Sequence, residues 1–260
     1  MEPELFPAVF VGHGSPTNAL DSNAFTAAWR ELGARLPRPR AILSVSAHWY
    51  TRGTFVTANA QPPTIHDFGG FAPELYEVSY PAAGSPAFAE EVRTLLTPLE
   101  VGAATDWGLD HGTWSVLVHS HPRADVPVVQ LSIDATRPPA FHYALGQQLA
   151  SLRRQGVLVF GSGGIVHNLR RLAWSGQAAT PDWARDFDDW VRACVAAADH
   201  APLVEFAARE SAALSVPTPE HYLPLLYVLG TQQSGEAVSA PIGGFDLGSL
   251  SMTSFVVGLG

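Results

Sequence analysis

Apolar residues along this chain fall into short unbroken blocks, and stretches with helical spacing alternate with them. Residues 6–11, 41–47, 127–133, 156–160 and 252–257 read as strands. These blocks are mostly apolar, with no alternation sustained from end to end, so each is expected to be covered on both faces. Between them, Phe25, Trp29, Leu32 and Leu36 recur at helical spacing within 22–36. Residues 86–96 open with a proline at a helix start, where its missing N–H costs nothing. Residues 141–154 form an amphipathic helix, and further helices are expected over 183–198, 203–214 and 220–229. For the last of these, Thr218 is the expected N-cap, with Pro219 at the first helical position. The alternation predicts an α/β fold. It implies a single three-layer domain over 1–260, its central, mostly parallel or mixed sheet covered by helices on both faces.

Composition narrows the function classes. The chain is 47% hydrophobic and 15% charged, enough apolar material for a buried core and too few charges for a disordered chain. Its formal charge is -9, and its basic residues cluster only as pairs, Arg153-Arg154 and Arg170-Arg171. Nucleic acid and anionic lipid are therefore not expected as partners. The lone cysteine, Cys194, rules out an internal disulfide and thiolate-rich metal sites, and is expected to serve as a small apolar helix residue. The start, Met1-Glu2-Pro3-Glu4, is acidic and followed by no long apolar stretch, so neither a secretory signal nor a membrane span is expected. The cytoplasm is the expected compartment.

The chemistry lies in the ten histidines. His13 follows the first strand, His48 the second, and His167 the strand and glycine turn at Gly161-Ser162-Gly163-Gly164. In an open α/β sheet such strand-end groups converge on one rim, where ligands bind. His111 sits in the turn Leu109-Asp110-His111-Gly112 before an apolar helix, and His221 is expected in the first turn of a capped helix. Several imidazoles on one rim suit Fe(II) or Zn(II), or acid/base work near neutral pH. His66, a loop histidine beside Asp67, either orients a substrate or caps a turn. His119, His121, His142 and His200 read as ordinary residues on helix faces or loops in polar surroundings. Trp49, Tyr50 and Phe71 can wall a flat ring but serve equally as core, and Arg170 reads as an exposed cation. The sequence has no H-E-x-x-H zinc helix, no G-x-S-x-G nucleophile turn and no complete dinucleotide or phosphate loop.

A set of short motifs occurs in order: Gly12-His13-Gly14-Ser15-Pro16, Ser46-Ala47-His48-Trp49, Thr64-Ile65-His66-Asp67-Phe68-Gly69-Gly70-Phe71, Asp110-His111-Gly112, Val166-His167-Asn168-Leu169 and Pro219-Glu220-His221-Tyr222-Leu223-Pro224. With this set the chain resembles the DODA-type extradiol aromatic ring-opening dioxygenases of the class III extradiol superfamily. The resemblance implies a mononuclear metal site, Fe(II) for activity or Zn(II) as a bound occupant. It also implies a small aromatic diol, DOPA-like, as substrate together with molecular oxygen. His13 and His48 then match the first two metal ligands, His221 a further ligand, and His167 a histidine at or beside the metal. His111 matches an acid/base residue, and His66 a substrate contact. Related enzymes use two histidines and a glutamate, so Glu220 competes with His221 for the last place. A zinc hydrolase and a non-catalytic metal-binding protein are the alternatives on the same residues.

Overall fold

The structure, a computed structural model, describes residues 5–173 and 179–259. The acidic start Met1-Glu2-Pro3-Glu4 lies outside them. Six strands make the main sheet: β1 (Ala8–Gly12), β2 (Ala41–Ser46), β3 (Val128–Gln130), β4 (Val157–Gly163), β5 (Val238–Ile242) and β6 (Ser254–Val257). Their spatial order is β3-β2-β4-β1-β6-β5. The first four run parallel, and β6 and β5 add antiparallel at one end. The sheet is therefore mixed.

Side chains alternate across this sheet, and both faces are buried. Ala8, Phe10, Leu43, Val45 and Val159 join one cluster; Val9, Val11, Ile42, Leu158 and Phe160 join the other. This explains the unbroken apolar blocks, because a strand covered twice has no polar face. The second cluster is closed by Trp29 and Leu32 of α1 (Ala24–Arg35). α2 (Pro86–Leu95) packs Phe88 and Val92 into the first cluster. α3 (His111–Ser120) adds Trp114 and Leu117 to the second. α4 (Pro139–Arg153), α5 (Asp182–Ala196) and α6 (Leu223–Gly230) complete the first with Leu145, Leu149, Val191, Leu225 and Leu229. Each such large apolar side chain stabilises the fold by about 1.5–3 kcal/mol. Cys194 is half-buried and packs against this core. No helix among the described residues is long and apolar enough to cross a membrane.

Four expected elements differ. The helix expected over 203–214 is broken into Ala201–Val204, a 3-10 turn Phe206–Ala208, and Ala212–Ser215. Tertiary bonds hold the separate pieces: Arg209 and Ser211 both bond Asp186 of α5, and the Leu214 and Ser215 carbonyls accept from Asn168 Nδ2 and the His167 N–H. The helix expected over 220–229 begins only at Leu223. Pro224 lacks the N–H that an interior position must donate, so it falls in the first turn. Thr218 does not cap it; its hydroxyl bonds Glu220 instead. The glycine turn after residue 160 is partly strand, since β4 continues through Gly163. The apolar block 127–133 likewise divides, its end Ile133–Asp134 pairing with Tyr50–Thr51 instead of the main sheet.

The four ordinary histidines keep structural roles, although two are not in polar surroundings. His119 is buried and donates to the Asn18 carbonyl; His142 is fully buried, its Nδ1 2.9 Å from the Tyr227 hydroxyl. His121 contacts Ser120, and His200 the Tyr143 hydroxyl. Burial holds His142 at about 4, against the opposing pull of a backbone hydrogen bond and Asp134. An unfolded imidazole titrates near 6.5. Between pH 6.5 and 4 the unfolded chain therefore takes up a proton that the folded chain refuses. Stability is full above this window and falls as pH drops through it, by up to about 1.4 kcal/mol per pH unit. Denaturant titrations across this range are expected to show a pH slope smaller by about one proton in His142→Gln, and an unchanged slope would contradict the assignment.

Candidate metal centre

Register brings the site together. In the parallel pairing Gly12 of β1 stands level with Gly163 of β4, and Ser46 of β2 with Ser162 of β4. The three strands end at one height, and His13, His48 and His167 follow those ends. The His13 N–H continues the ladder to the Gly163 carbonyl, and the Ala47 N–H to Ser162. Gly163 has a second task. A Cβ there would lie 2.1 Å from the His221 carbonyl oxygen, the group that accepts from the Gly164 N–H. The missing side chain lets the turn before α6 press onto the strand end and deliver His221.

His111 arrives from a different element, as the first residue of α3. Asp110 caps that helix through the Thr113 N–H and is itself clamped by Gln130, which donates to its Oδ2 and accepts from its N–H. Asp67 fixes the same point from outside, its Oδ1 accepting from the His111 N–H at 2.8 Å. Gly112 leaves room for His48, whose ring carbon would be 2.8 Å from a Cβ at this position.

Five imidazoles thus face one another. His13 Nε2 and His48 Nε2 are 3.1 Å apart. The His48 and His111 ring centres are 3.8 Å apart, those of His13 and His221 5.4 Å, and those of His48 and His221 5.0 Å. His167 lies flat on His221, centres 3.4 Å apart and planes 5° from parallel. Among the described residues, the three whose nitrogens all converge within 4.8 Å are His13, His48 and His111. This trio shares His13 and His48 with the four residues that the resemblance implied, His13, His48, His167 and His221.

The hydrogen bonds settle tautomers. Ser162 spends its hydroxyl proton on the Gly112 carbonyl, so at its 3.0 Å contact with His13 Nδ1 the ring nitrogen donates. His13 Nε2 is left as a bare lone pair facing the cluster. Neither ring nitrogen of buried His221 has a hydrogen-bond partner; the nearest carboxylate oxygen, Glu220 Oε1, is 3.5 Å from Nδ1. Burial holds His13 and His221 well below the usual imidazole range, and neighbouring imidazoles lower both further. His48 falls to about 3 and His167 to about 4, again through burial first. Neutral, unpaired, desolvated imidazoles are the donor set that a divalent ion takes. Two nitrogens each about 2.1 Å from one ion lie roughly 3.0–3.4 Å apart at ordinary coordination angles, and the His13–His48 separation falls in that interval. The residues fit a metal.

Asp67 is the residue that sequence reasoning passed over. Its Oδ2 lies 3.0 Å from His111 Nδ1, approached at an angle off the ring N–H direction, and 3.4 Å from His48 Nδ1. Burial raises its carboxyl pKa, yet the contacts with His111 and the nearness of His48 outweigh this and hold it below the usual range. Its place beside His66 in the sequence was the available signal. His66 itself does not line the cavity; its Nε2 donates to the Val78 carbonyl and its ring meets Phe68, Tyr76 and Trp114. Glu220 is likewise outside the lining. Of the three aromatic candidates, Phe71 lines the cavity, Trp49 stacks on Trp107, and Tyr50 is exposed. The cavity holds about 280 Å³, floored by His13, His48, His111, His167 and His221 and walled by Phe68, Phe71 and leucines.

The family model of the catalytic LigB subunit of aromatic ring-opening dioxygenase matches residues 7–245. The chain belongs to this family. It is therefore an oxidoreductase of the ring-opening dioxygenase kind. It is 49% identical to the 4,5-DOPA dioxygenase extradiol of Escherichia coli (strain K12), over 99% of this chain and 97% of that one. It is 33% identical to the 4,5-DOPA dioxygenase extradiol of Beta vulgaris, over 98% and 97%. A crystal structure of an uncharacterized Escherichia coli K12 protein superposes with a TM-score of 0.86 at 45% identity, covering 97% of this chain and 99% of that one.

Gly163→Ala tests how the site is assembled. The added methyl must displace the His221 backbone, so metal affinity is expected to fall about 10–100-fold, by analogy with other losses of ligand support. Metal titration of the folded variant reads this directly; wild-type affinity would show that the close approach does not position His221.

Proposed function

We propose that this chain is an extradiol dioxygenase that opens a catechol ring beside its hydroxyls, using molecular oxygen, at one divalent ion held by histidines. The carrying observation is the convergence of buried, neutral imidazoles on the floor of a small, largely apolar slot in a member of the ring-opening family. His13, His48 and His221 would hold the ion, with His167 stacked on His221 at or beside it. Fe(II) is the proposed working ion and Zn(II) an inactive occupant of the same nitrogens. When bound, the ion supplies Lewis acidity toward the diol and, as Fe(II), the redox chemistry that activates oxygen. DOPA, which names the relatives, is the proposed representative substrate.

The protein's own groups do the rest. Phe68 and Phe71 hold a flat ring in the slot and exclude water. His111, on the cavity floor with the Asp67 carboxylate 3.0 Å from its Nδ1, takes a catechol proton and returns it during ring opening. His66 supports Phe68 and so acts on the substrate indirectly. The whole chain serves as one catalytic domain, and its single cysteine suits a reducing cytoplasm. A zinc hydrolase would turn over an ester or amide without oxygen. The relatives lend no support to that reading or to a non-catalytic one.

Protein loaded anaerobically with Fe(II) and then given oxygen and DOPA is expected to take up oxygen and form a yellow product. Zn(II)-loaded protein and His13→Ala are expected to do neither; silence across a catechol panel would sink the reading. His111→Gln is expected to lower kcat by about 10²–10⁴-fold while metal content stays unchanged. Loss of the metal instead would move His111 into the ligand set.

A further inference from the structure

The catechol ring accounts for the floor of the slot but not for its mouth. Among the described residues, the one Asp, Glu or Arg side chain that lines the cavity is Asp67. All fifteen basic residues of the chain are arginines, and none is in the lining. The nearest in sequence, Arg170 and Arg171, are exposed on the 3-10 turn Leu169–Arg171, and the undescribed stretch 174–178 contains no basic residue. Further carboxylates lie close by: Glu220 is 3.5 Å from His221, and Asp246 adjoins the lining residue Leu247.

The entrance is apolar. Leu169, Leu172, Leu247 and Leu250 line the cavity, and Leu169 is 59% exposed although it is a leucine. Tyr76, another exposed apolar side chain, packs on the wall residue Phe68 with ring centres 5.2 Å apart. A substituent leaving the ring through this mouth must shed water against leucines. An alkyl chain gains by that transfer. A carboxylate loses its hydration and finds no arginine in the lining.

Resting on the catechol reading above, we propose that this pocket selects catechols with a neutral, apolar ring substituent over those carrying a carboxylate. DOPA is then a substrate held by its ring, with its carboxylate unsupported, and an alkylcatechol is the better ligand. Leu169 and Leu172 set the preference at the entrance.

The test compares two ligands of similar length, 4-propylcatechol and dihydrocaffeate, which differ by one carboxylate. Calorimetry on Zn(II)-loaded protein under nitrogen measures affinity without turnover. The neutral ligand is expected to bind about tenfold tighter or more. Equal affinity, tighter binding of the anion, or no binding of either would overturn the proposal. Leu169→Arg, at an exposed position that leaves the core intact, is expected to tighten dihydrocaffeate about tenfold and to leave 4-propylcatechol unimproved. The double variant Arg170→Ala, Arg171→Ala is expected to leave dihydrocaffeate affinity unchanged; selective weakening would show that these arginines serve the mouth after all, overturning the proposal. Oxygen uptake by the Fe(II)-loaded protein with both catechols is measured separately. Intact binding preference without any uptake would remove the dioxygenase reading and leave the pocket preference standing.

Discussion

Gly12 stands level with Gly163, and Ser46 with Ser162, in a parallel ladder that ends abruptly on three strands at once. That register sets the height at which His13, His48 and His167 leave the sheet, and every later feature of the site is fitted to it. A parallel strand pair cannot slip by one residue without turning its apolar side chains out of one buried cluster and into the other. The double-sided core therefore fixes the position of the imidazoles along with the fold. The glycines at these ends complete the arrangement, because a Cβ on Gly12 would lie 2.6 Å from the Ser251 carbonyl oxygen and one on Gly163 even closer to that of His221.

Desolvation then decides the chemistry. Five imidazoles in water would each take a proton near pH 6.5. Packed at ring separations of 3.4–5.7 Å under aromatic and aliphatic cover, the most buried of them stay neutral, since a first charge would meet both low polarity and four neighbours of the same kind. Neutral rings with nitrogens left over are costly unless something takes the lone pairs. The unpartnered nitrogens of His221 and the bare Nε2 of His13 are the visible form of that cost, and a divalent ion relieves it.

Outer contacts hold the cluster in place. Ser162 fixes the His13 tautomer, Asn18 holds its carbonyl, and the Asp110–Gln130 pair anchors the start of α3 beneath His111. Asp67 brings a carboxylate to 3.0 Å from His111 Nδ1 and 3.4 Å from His48 Nδ1. The surrounding walls, Phe68, Phe71 and four leucines, add little polarity of their own.

The sequence by itself determined the α/β alternation, the double-sided burial of the strands and the strand-end placement of His13, His48 and His167. These depend on local spacing and on the period of apolar residues, which need no partner to be read. It also marked the ordered motif set that pointed to ring-opening dioxygenases. Tertiary structure decided the rest. Pro224, which lacks an N–H, moves the start of one helix, and the broken segments 201–215 are tied to Asp186 and Asn168 by tertiary hydrogen bonds. The stacking of His167 on His221, the approach of Asp67 to His111, and the leucine mouth all join segments far apart in the chain. Proximity of that kind is set by the packing of the sheet and its covering helices, and no local spacing encodes it.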